Sequence, residues 1–236
     1  MRAFRILMAD DHPITRLGLC SLLGSHQGWE VCGQAVDGRD AVTKCRQLRP
    51  DLLILDICMP KLNGVDAARQ ILADNPAQKI LVLTDVDSEQ AIRDCLKAGV
   101  RGWVLKSDET HDLTVAVEAL QNHGSIYTSR VADLILDGYL ERHRFGGGAP
   151  EPPSLPSLTP REREVVQLLC EGNSTKKVAT ILGVTVKTAE THRSNIMFKL
   201  KLHSVAELVL YAVRNGIVHI QLPTAALPDS RFHLAN

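Results

Sequence analysis

The segment Leu52-Leu53-Ile54-Leu55-Asp56-Ile57-Cys58-Met59-Pro60-Lys61-Leu62-Asn63-Gly64 decides how the chain is read. Four apolar residues in a row suit a strand buried on both faces. Asp56 then stands at the strand's carboxyl end, and Pro60 and Gly64 punctuate the loop that follows. A second apolar run, Ile6-Leu7-Met8-Ala9, ends in the same manner with Asp10-Asp11. Three carboxylates at one sheet edge repel one another unless a hard cation lies between them.

Working outward, short apolar runs alternate with amphipathic stretches through the first 125 residues, as in a parallel sheet covered by helices on both faces. The expected strands are Phe4–Ala9, Glu30–Ala35, Leu52–Leu55, Lys79–Leu83 and Gly102–Leu105. The expected helices are Pro13–Leu23, Gly38–Leu48, Val65–Asp74, Glu89–Ala98 and Asp108–Asn122, with Ser88 and Asp108 as N-caps and Gly99 as a C-cap. Five strands and five helices predict an α/β, flavodoxin-like doubly wound domain, whose ligands bind at the carboxyl ends of the strands. Asp10, Asp56, Thr84 and Lys106 all fall there.

Residues Ser129–Leu140 predict a further helix, and the Gly- and Pro-rich run from Phe145 to Pro156 predicts an interdomain linker. From Leu158 onward the strand signal gives way to helical periodicity. Thr159-Pro160-Arg161-Glu162 is a helix start, with Thr as N-cap and Pro in the first turn. A short helix Lys176–Leu182, the turn Gly183-Val184-Thr185 and a longer helix Val186–Leu200 make a helix-turn-helix. The expected units are therefore 1–125, a helix and linker over 126–157, a small all-α unit of four helices over 158–216, and a tail over 217–236.

In the longer helix, Ala189, Ile196 and Leu200 share the face to be buried. Lys187, Glu190, Thr191, Ser194 and Phe198 lie opposite, with Asn195 on the flank. That outer face suits a DNA major groove, while Arg193, Lys199, Lys176 and Lys177 are placed for phosphates. Charge follows the same division. The whole chain is formally neutral, but Leu158–Asn236 holds 10 Lys/Arg against 6 Asp/Glu, so the front part is acidic.

Residues 1–125 resemble the receiver domain of two-component response regulators. The match lies in Asp10-Asp11-His12-Pro13, Asp56-Ile57-Cys58-Met59-Pro60 with Gly64, Thr84, and Gly102-Trp103 before Lys106. The resemblance implies that Asp56 accepts a phosphoryl group from a sensor histidine kinase. It implies Mg2+ held by Asp10, Asp11, Asp56 and the Cys58 backbone carbonyl. Lys106 and Thr84 would then contact phosphoryl oxygens, and Thr84 and Trp103 would switch on activation. Three features depart from the family's habit or add nothing to the chemistry. Asp85 follows Thr84 where a small residue is usual, Cys58 lines the site, and His12 reads as structural.

Leu158–Leu202 resembles the LuxR-type DNA-binding domain through Leu158-Thr159-Pro160-Arg161-Glu162-Arg163-Glu164-Val165, Glu171-Gly172, Leu182-Gly183-Val184 and Val186-Lys187-Thr188, with His192, Asn195-Ile196 and Lys199-Leu200. The family's fourth helix commonly forms the dimer contact, which implies Val205, Leu208, Val209 and Ala212 as its stripe. Together the resemblances cover about four-fifths of the chain in the order of the NarL/FixJ class. They imply a cytoplasmic, Mg2+-dependent, phosphorylation-controlled transcription factor. It would bind double-stranded promoter DNA, dimerise when phosphorylated and have no enzyme activity beyond its own phosphorylation and dephosphorylation.

Two other classes stay open at this point. A phosphatase of the haloacid dehalogenase type also uses a strand-end Asp with Mg2+, but needs a second acid where this chain has Cys58. A DNA-binding protein with a phosphorylation-independent dimer module is supported by Asp85 alone. The six cysteines show no metal spacing and read as reduced, small apolar residues. No apolar run approaches the roughly 18 residues of a bilayer span, and the N-terminus lacks a signal-peptide layout.

Overall fold

In the computed structural model, the described residues are 2–85, 89–107, 110–129, 131–136 and 158–218. The expected caps Ser88 and Asp108, the Gly/Pro-rich linker, residues 137–140 of the expected helix and the tail beyond residue 218 lie outside them.

The sheet is built from β1 (Phe4–Ala9), β2 (Trp29–Ala35), β3 (Leu52–Leu55), β4 (Lys79–Thr84), β5 (Gly102–Leu105) and β6 (Ile126–Tyr127). All described pairings are parallel, in the order β2-β1-β3-β4-β5-β6. The helices between them are α1 (Pro13–Gly24), α2 (Gly38–Leu48), α3 (Gly64–Asp74), α4 (Glu89–Ala98) and α5 (Thr110–Gln121). Successive strand residues point to opposite faces, so the core divides in two. Leu7, Leu53, Leu55 and Val82 pack under α2, α3 and α4, while Ile6, Met8, Ile54 and Leu83 pack under α1 and α5. The order reverses at β1, which brings the carboxyl ends of β1 and β3 together at a switch point.

The sixth strand was not expected. Two residues are too short to show a period, yet Gly102 and Trp103 on β5 pair with Ile126 and Tyr127. Residues 131–136 are helical, and fully buried Val131 joins the core beneath α4. The sheet unit therefore reaches beyond residue 125.

The second unit comprises α6 (Pro160–Cys170), α7 (Thr175–Leu182), α8 (Val186–Leu200) and α9 (Val205–Arg214). Thr159 and Glu162 form a reciprocal capping box at the start of α6. Gly183, at φ 65°, takes the left-handed conformation that ends α7, and Thr185 caps α8 through the Thr188 N–H. Ala189 and Ile196 are buried as expected, and Leu200 is partly so. Ile217 is also buried in this core, so its packing continues past residue 216.

The expected dimer stripe on α9 divides. Leu208 and Ala212 are buried in the four-helix core and cannot present themselves to a second copy. The i, i+4 spacing that suggested a stripe is the spacing that fastens α9 to its own domain. Val209 is half-buried, whereas Val205 and Leu210 are exposed. Among the described residues no helix is long and apolar enough to cross a membrane.

Gly64 opens α3 directly against the acid-bearing loop. A Cβ there would meet the Asp56 carbonyl oxygen at 2.1 Å, so any side chain must displace backbone. Gly64→Ala is expected to lower stability by about 1–3 kcal/mol, the usual cost of overpacking. Urea unfolding followed by tryptophan fluorescence measures this in the sheet unit, because Trp29 and Trp103 both lie there.

Candidate functional site: an acidic pocket joined to a helix-turn-helix

Asp10 and Asp56 are 1% and 2% exposed, an expensive place for two carboxylates. The parallel register sets them side by side, since Ala9 pairs with Leu55 and the Asp56 N–H donates to the Ala9 carbonyl at 2.9 Å. Lys106, just past β5, reaches both. Its Nζ lies 2.8 Å from Asp56 Oδ2 and 2.9 Å from Asp10 Oδ2. Burial by itself lowers the lysine's proton affinity, but the Asp56 and Asp10 carboxylates outweigh it and hold the ammonium above its ordinary value. The remaining Asp56 oxygen, Oδ1, accepts from the Cys58 N–H at 3.2 Å.

Asp11 completes the acid set. Burial pushes its carboxyl upward, the His12 ring pulls against this, and the Asp56 and Asp10 carboxylates add to the upward push. Ligand atoms of Asp10, Asp11, His12 and Asp56 all lie within 4.8 Å of one another. Asp10 Oδ2 and Asp11 Oδ1 are buried without a well-directed hydrogen bond, although Lys106 Nζ and His12 Nδ1 each stand 2.9 Å away. Carboxylate oxygens with spare lone pairs at this spacing suit a hard, oxygen-seeking cation such as Mg2+.

The other site residues fall as follows. Thr84 is fully buried at the end of β4. Trp103 is 2% exposed, packed in the core with Ile92, Cys95 and Val131. Asp85 is exposed, which keeps its charge in water beside the pocket. Burial and then Asp56 push the Cys58 thiol to about 12, so it stays protonated and cannot stand in for a second carboxylate. His12 lies inside the acid cluster, closer to the chemistry than its structural reading implied.

The loop after Asp56 carries strain. Lys61 is left-handed at φ 64°, an uncommon state for a residue with a side chain. Its Nζ is fixed 2.5 Å from buried Asp37, and its N–H donates to Glu171 at 3.0 Å. Gln167 on α6 accepts from the Asn63 N–H at 2.7 Å and donates to the Met59 carbonyl at 3.0 Å. Arg163 shares its Nε–H between the two oxygens of Asp66 at 2.9 and 3.0 Å. Asn63 Nδ2 donates to the Ile217 carbonyl at 3.1 Å, and Glu164 takes Gln70 at 2.7 Å together with Arg39. The helix-turn-helix unit thus grips the same loop that begins at Asp56. A cavity of about 220 Å³, lined by Asp11, Cys58, Gln167 and Ile217 among others, lies along the junction at the edge of the acid cluster. No local pattern in the chain signals this grip, whose partners lie about a hundred residues apart.

On the helix-turn-helix, Lys176, Lys177, Lys187, Glu190, Thr191, Arg193, Ser194 and Asn195 are all exposed. Lys199 differs, being partly buried and paired with Glu162 at 2.8 Å. The junction uses α6 and leaves the outer face of α8 open.

Residues 6–118 match the response regulator receiver domain family, and residues 156–212 match bacterial regulatory proteins of the luxR family. The transcriptional regulatory protein MctR of Rhizobium johnstonii is 34% identical over 214 residues, covering 91% of this chain and 95% of its own. The response regulator protein VraR of Staphylococcus epidermidis is 30% identical over 216 residues, covering 92% and 99%. A solved structure of the RcsB response regulator of Salmonella typhimurium is similar with a TM-score of 0.58 at 25% identity, covering 91% and 99%. A second, of RcsB from Salmonella enterica serovar Typhimurium bound to promoter DNA with the phosphomimetic BeF3-, gives 0.53 at 26% identity, covering 89% and 98%.

Lys106 is the cation that makes two buried acids tolerable. Lys106→Met is expected to cost on the order of 3 kcal/mol, as when one partner of a buried pair is removed. In the wild type the raised lysine keeps its contribution at neutral pH and loses it only above lysine's ordinary range. Urea titrations of both proteins at neutral and alkaline pH measure the difference.

Proposed function

Because the chain belongs to the NarL/FixJ class of two-component response regulators, with a receiver domain and a LuxR-type DNA-binding domain, we propose that Asp56 is its phosphoacceptor and that the domain junction carries the signal. The observation that supports this most directly is the pairing of Asp56 with Lys106 on a loop that α6 holds by its backbone.

The donor is a phosphohistidine of a sensor kinase. An Asp56 carboxylate oxygen forms the new bond to phosphorus as the phosphorus–nitrogen bond breaks, and the imidazole keeps the electron pair. Lys106 releases its hold on a carboxylate and turns to a phosphoryl oxygen, a short move because its Nζ already touches Asp56. Thr84, at the neighbouring strand end, supplies a hydroxyl for another. Mg2+, held by Asp10, Asp11, Asp56 and the Cys58 carbonyl, would neutralise and align the phosphoryl oxygens. The regulator's chemistry is limited to its own loading and emptying, in the cytoplasm.

The groove-facing side of α8 is already open, so the junction does not act by covering it. It fixes where the DNA-binding domain sits. Two copies can read two half-sites only if their α8 helices stand about 34 Å apart, one turn of DNA. Held against its own receiver, each helix-turn-helix is not free to find that spacing. A phosphoryl group on Asp56 would pull Lys106 and Thr84 and shift the 57–64 loop, loosening the contacts of Gln167 and Asn63. Dimerisation on promoter DNA then follows.

With Mg2+ and beryllofluoride, wild-type protein is expected to gain DNA affinity by a factor within the roughly 5–150-fold range of allosteric couplings, with a shift towards dimer. Asp56→Asn should gain neither. Sedimentation and fluorescence anisotropy on selected DNA fragments measure both, and an unresponsive wild type would sink the switch. Gln167→Leu should raise DNA affinity without any phosphoryl mimic, because both backbone partners in the loop are released.

A further inference from the structure

Phe198 is 88% exposed on a helix whose rotation is fixed. Ala189 and Ile196 anchor the inner side of α8 at zero exposure, and Lys199 is tied sideways to Glu162. Phe198 therefore cannot turn inward. It continues the exposed line of Lys187, Thr191 and Ser194, spaced by four, three and four residues, which at 3.6 residues per turn is one stripe along the helix. The helix remains regular through Leu200 and ends only at left-handed Lys201.

A phenyl ring makes no strong hydrogen bond to phosphates or to the polar edges of bases. The apolar group that the major groove offers is the C5-methyl of thymine. Lys201, exposed at the same end of α8, can hold that end against the phosphate backbone. The rise from Thr191 to Phe198 is about 10.5 Å, or roughly three base-pair steps of 3.4 Å.

We propose that Phe198 is a specificity-determining residue that selects a thymine through its methyl group, about three base pairs from the base opposite Thr191. This rests on the reading that α8 enters the major groove. The ring excludes cytosine at that position because cytosine offers a bare ring carbon and an amino group there. It would also make the chain prefer thymine over uracil, a distinction that no hydrogen bond can supply.

The test is selection from a random duplex library by the full chain with Mg2+ and beryllofluoride, for wild type, Phe198→Ala and Phe198→Lys. Wild type should yield half-sites with one fixed thymine column that fades in both variants while the other columns persist. Replacing that thymine by deoxyuridine should weaken wild-type binding about fourfold, the worth of one buried methyl group, and leave Phe198→Ala unchanged. Because the ring is exposed, both variants retain the fold, which circular dichroism checks. If all three proteins select the same columns, or deoxyuridine has no effect on wild type, the proposal is overturned while groove reading stands. If wild type enriches no sequence, both fail together.

Discussion

Two carboxylates sit side by side at the end of a parallel sheet with one ammonium between them, and much else in the molecule follows from that arrangement. Asp10 and Asp56 cannot be separated, because the β1–β3 register places them. Nor can they be solvated, because the strands that carry them are buried on both faces. Lys106 therefore acts as a resident counter-ion, arriving from β5 across the intervening strand. An ammonium on a flexible stem is a replaceable partner in a way that a packed side chain is not. A cation or a phosphoryl group entering the pocket would compete for charges already oriented towards it. The same burial that makes the site costly makes it responsive.

That response has a defined route into the rest of the chain. Asp56 opens a loop wedged between a glycine that admits no Cβ and a lysine in a left-handed backbone state. Loops of this kind do not relax gradually, since each neighbour blocks the small adjustments. Lys61 is pinned by Asp37 on one side and offers its N–H to Glu171 on the other. The contacts of α6 are spread along the loop and into the first turns of α3, so a displacement near Cys58 is felt several residues on. Coupling of this sort is reciprocal. A helix-turn-helix docked on the loop also stabilises the shape of the acidic pocket seen here.

The receiver-like fold was legible because its strands are continuous apolar runs ending in charge, a pattern that survives without tertiary information. Helix α2 and strands β1 and β3 agree with expectation to the residue. Strand β6 escaped because two residues carry no period, and it exists through pairing with β5. On α9 the periodicity was read correctly as a stripe, but one helix has the same repeat whether it faces its own core or another chain. Leu208 and Ala212 belong to the core. In the pocket, the residue types announced the acids and the lysine, while the depth of Asp10, the outward position of Asp85 and the place of His12 needed the packed structure.

The junction was invisible for a more basic reason. Across the junction Gln167 meets only backbone, the Met59 carbonyl and the Asn63 N–H, groups that nearly every residue possesses, while within its own unit it also donates to Glu171 at 2.8 Å. Such contacts leave no signature in sequence, and they are neutral, so they are screened little by salt. The Arg163–Asp66 ion pair beside them adds charge but would survive a modest shift, because a long guanidinium stem can follow a carboxylate. An amide bonded to two fixed points of one loop cannot follow both if their separation changes. The discrimination between loop shapes therefore resides in the uncharged contact, and the ion pairs supply the attachment that lets it be read.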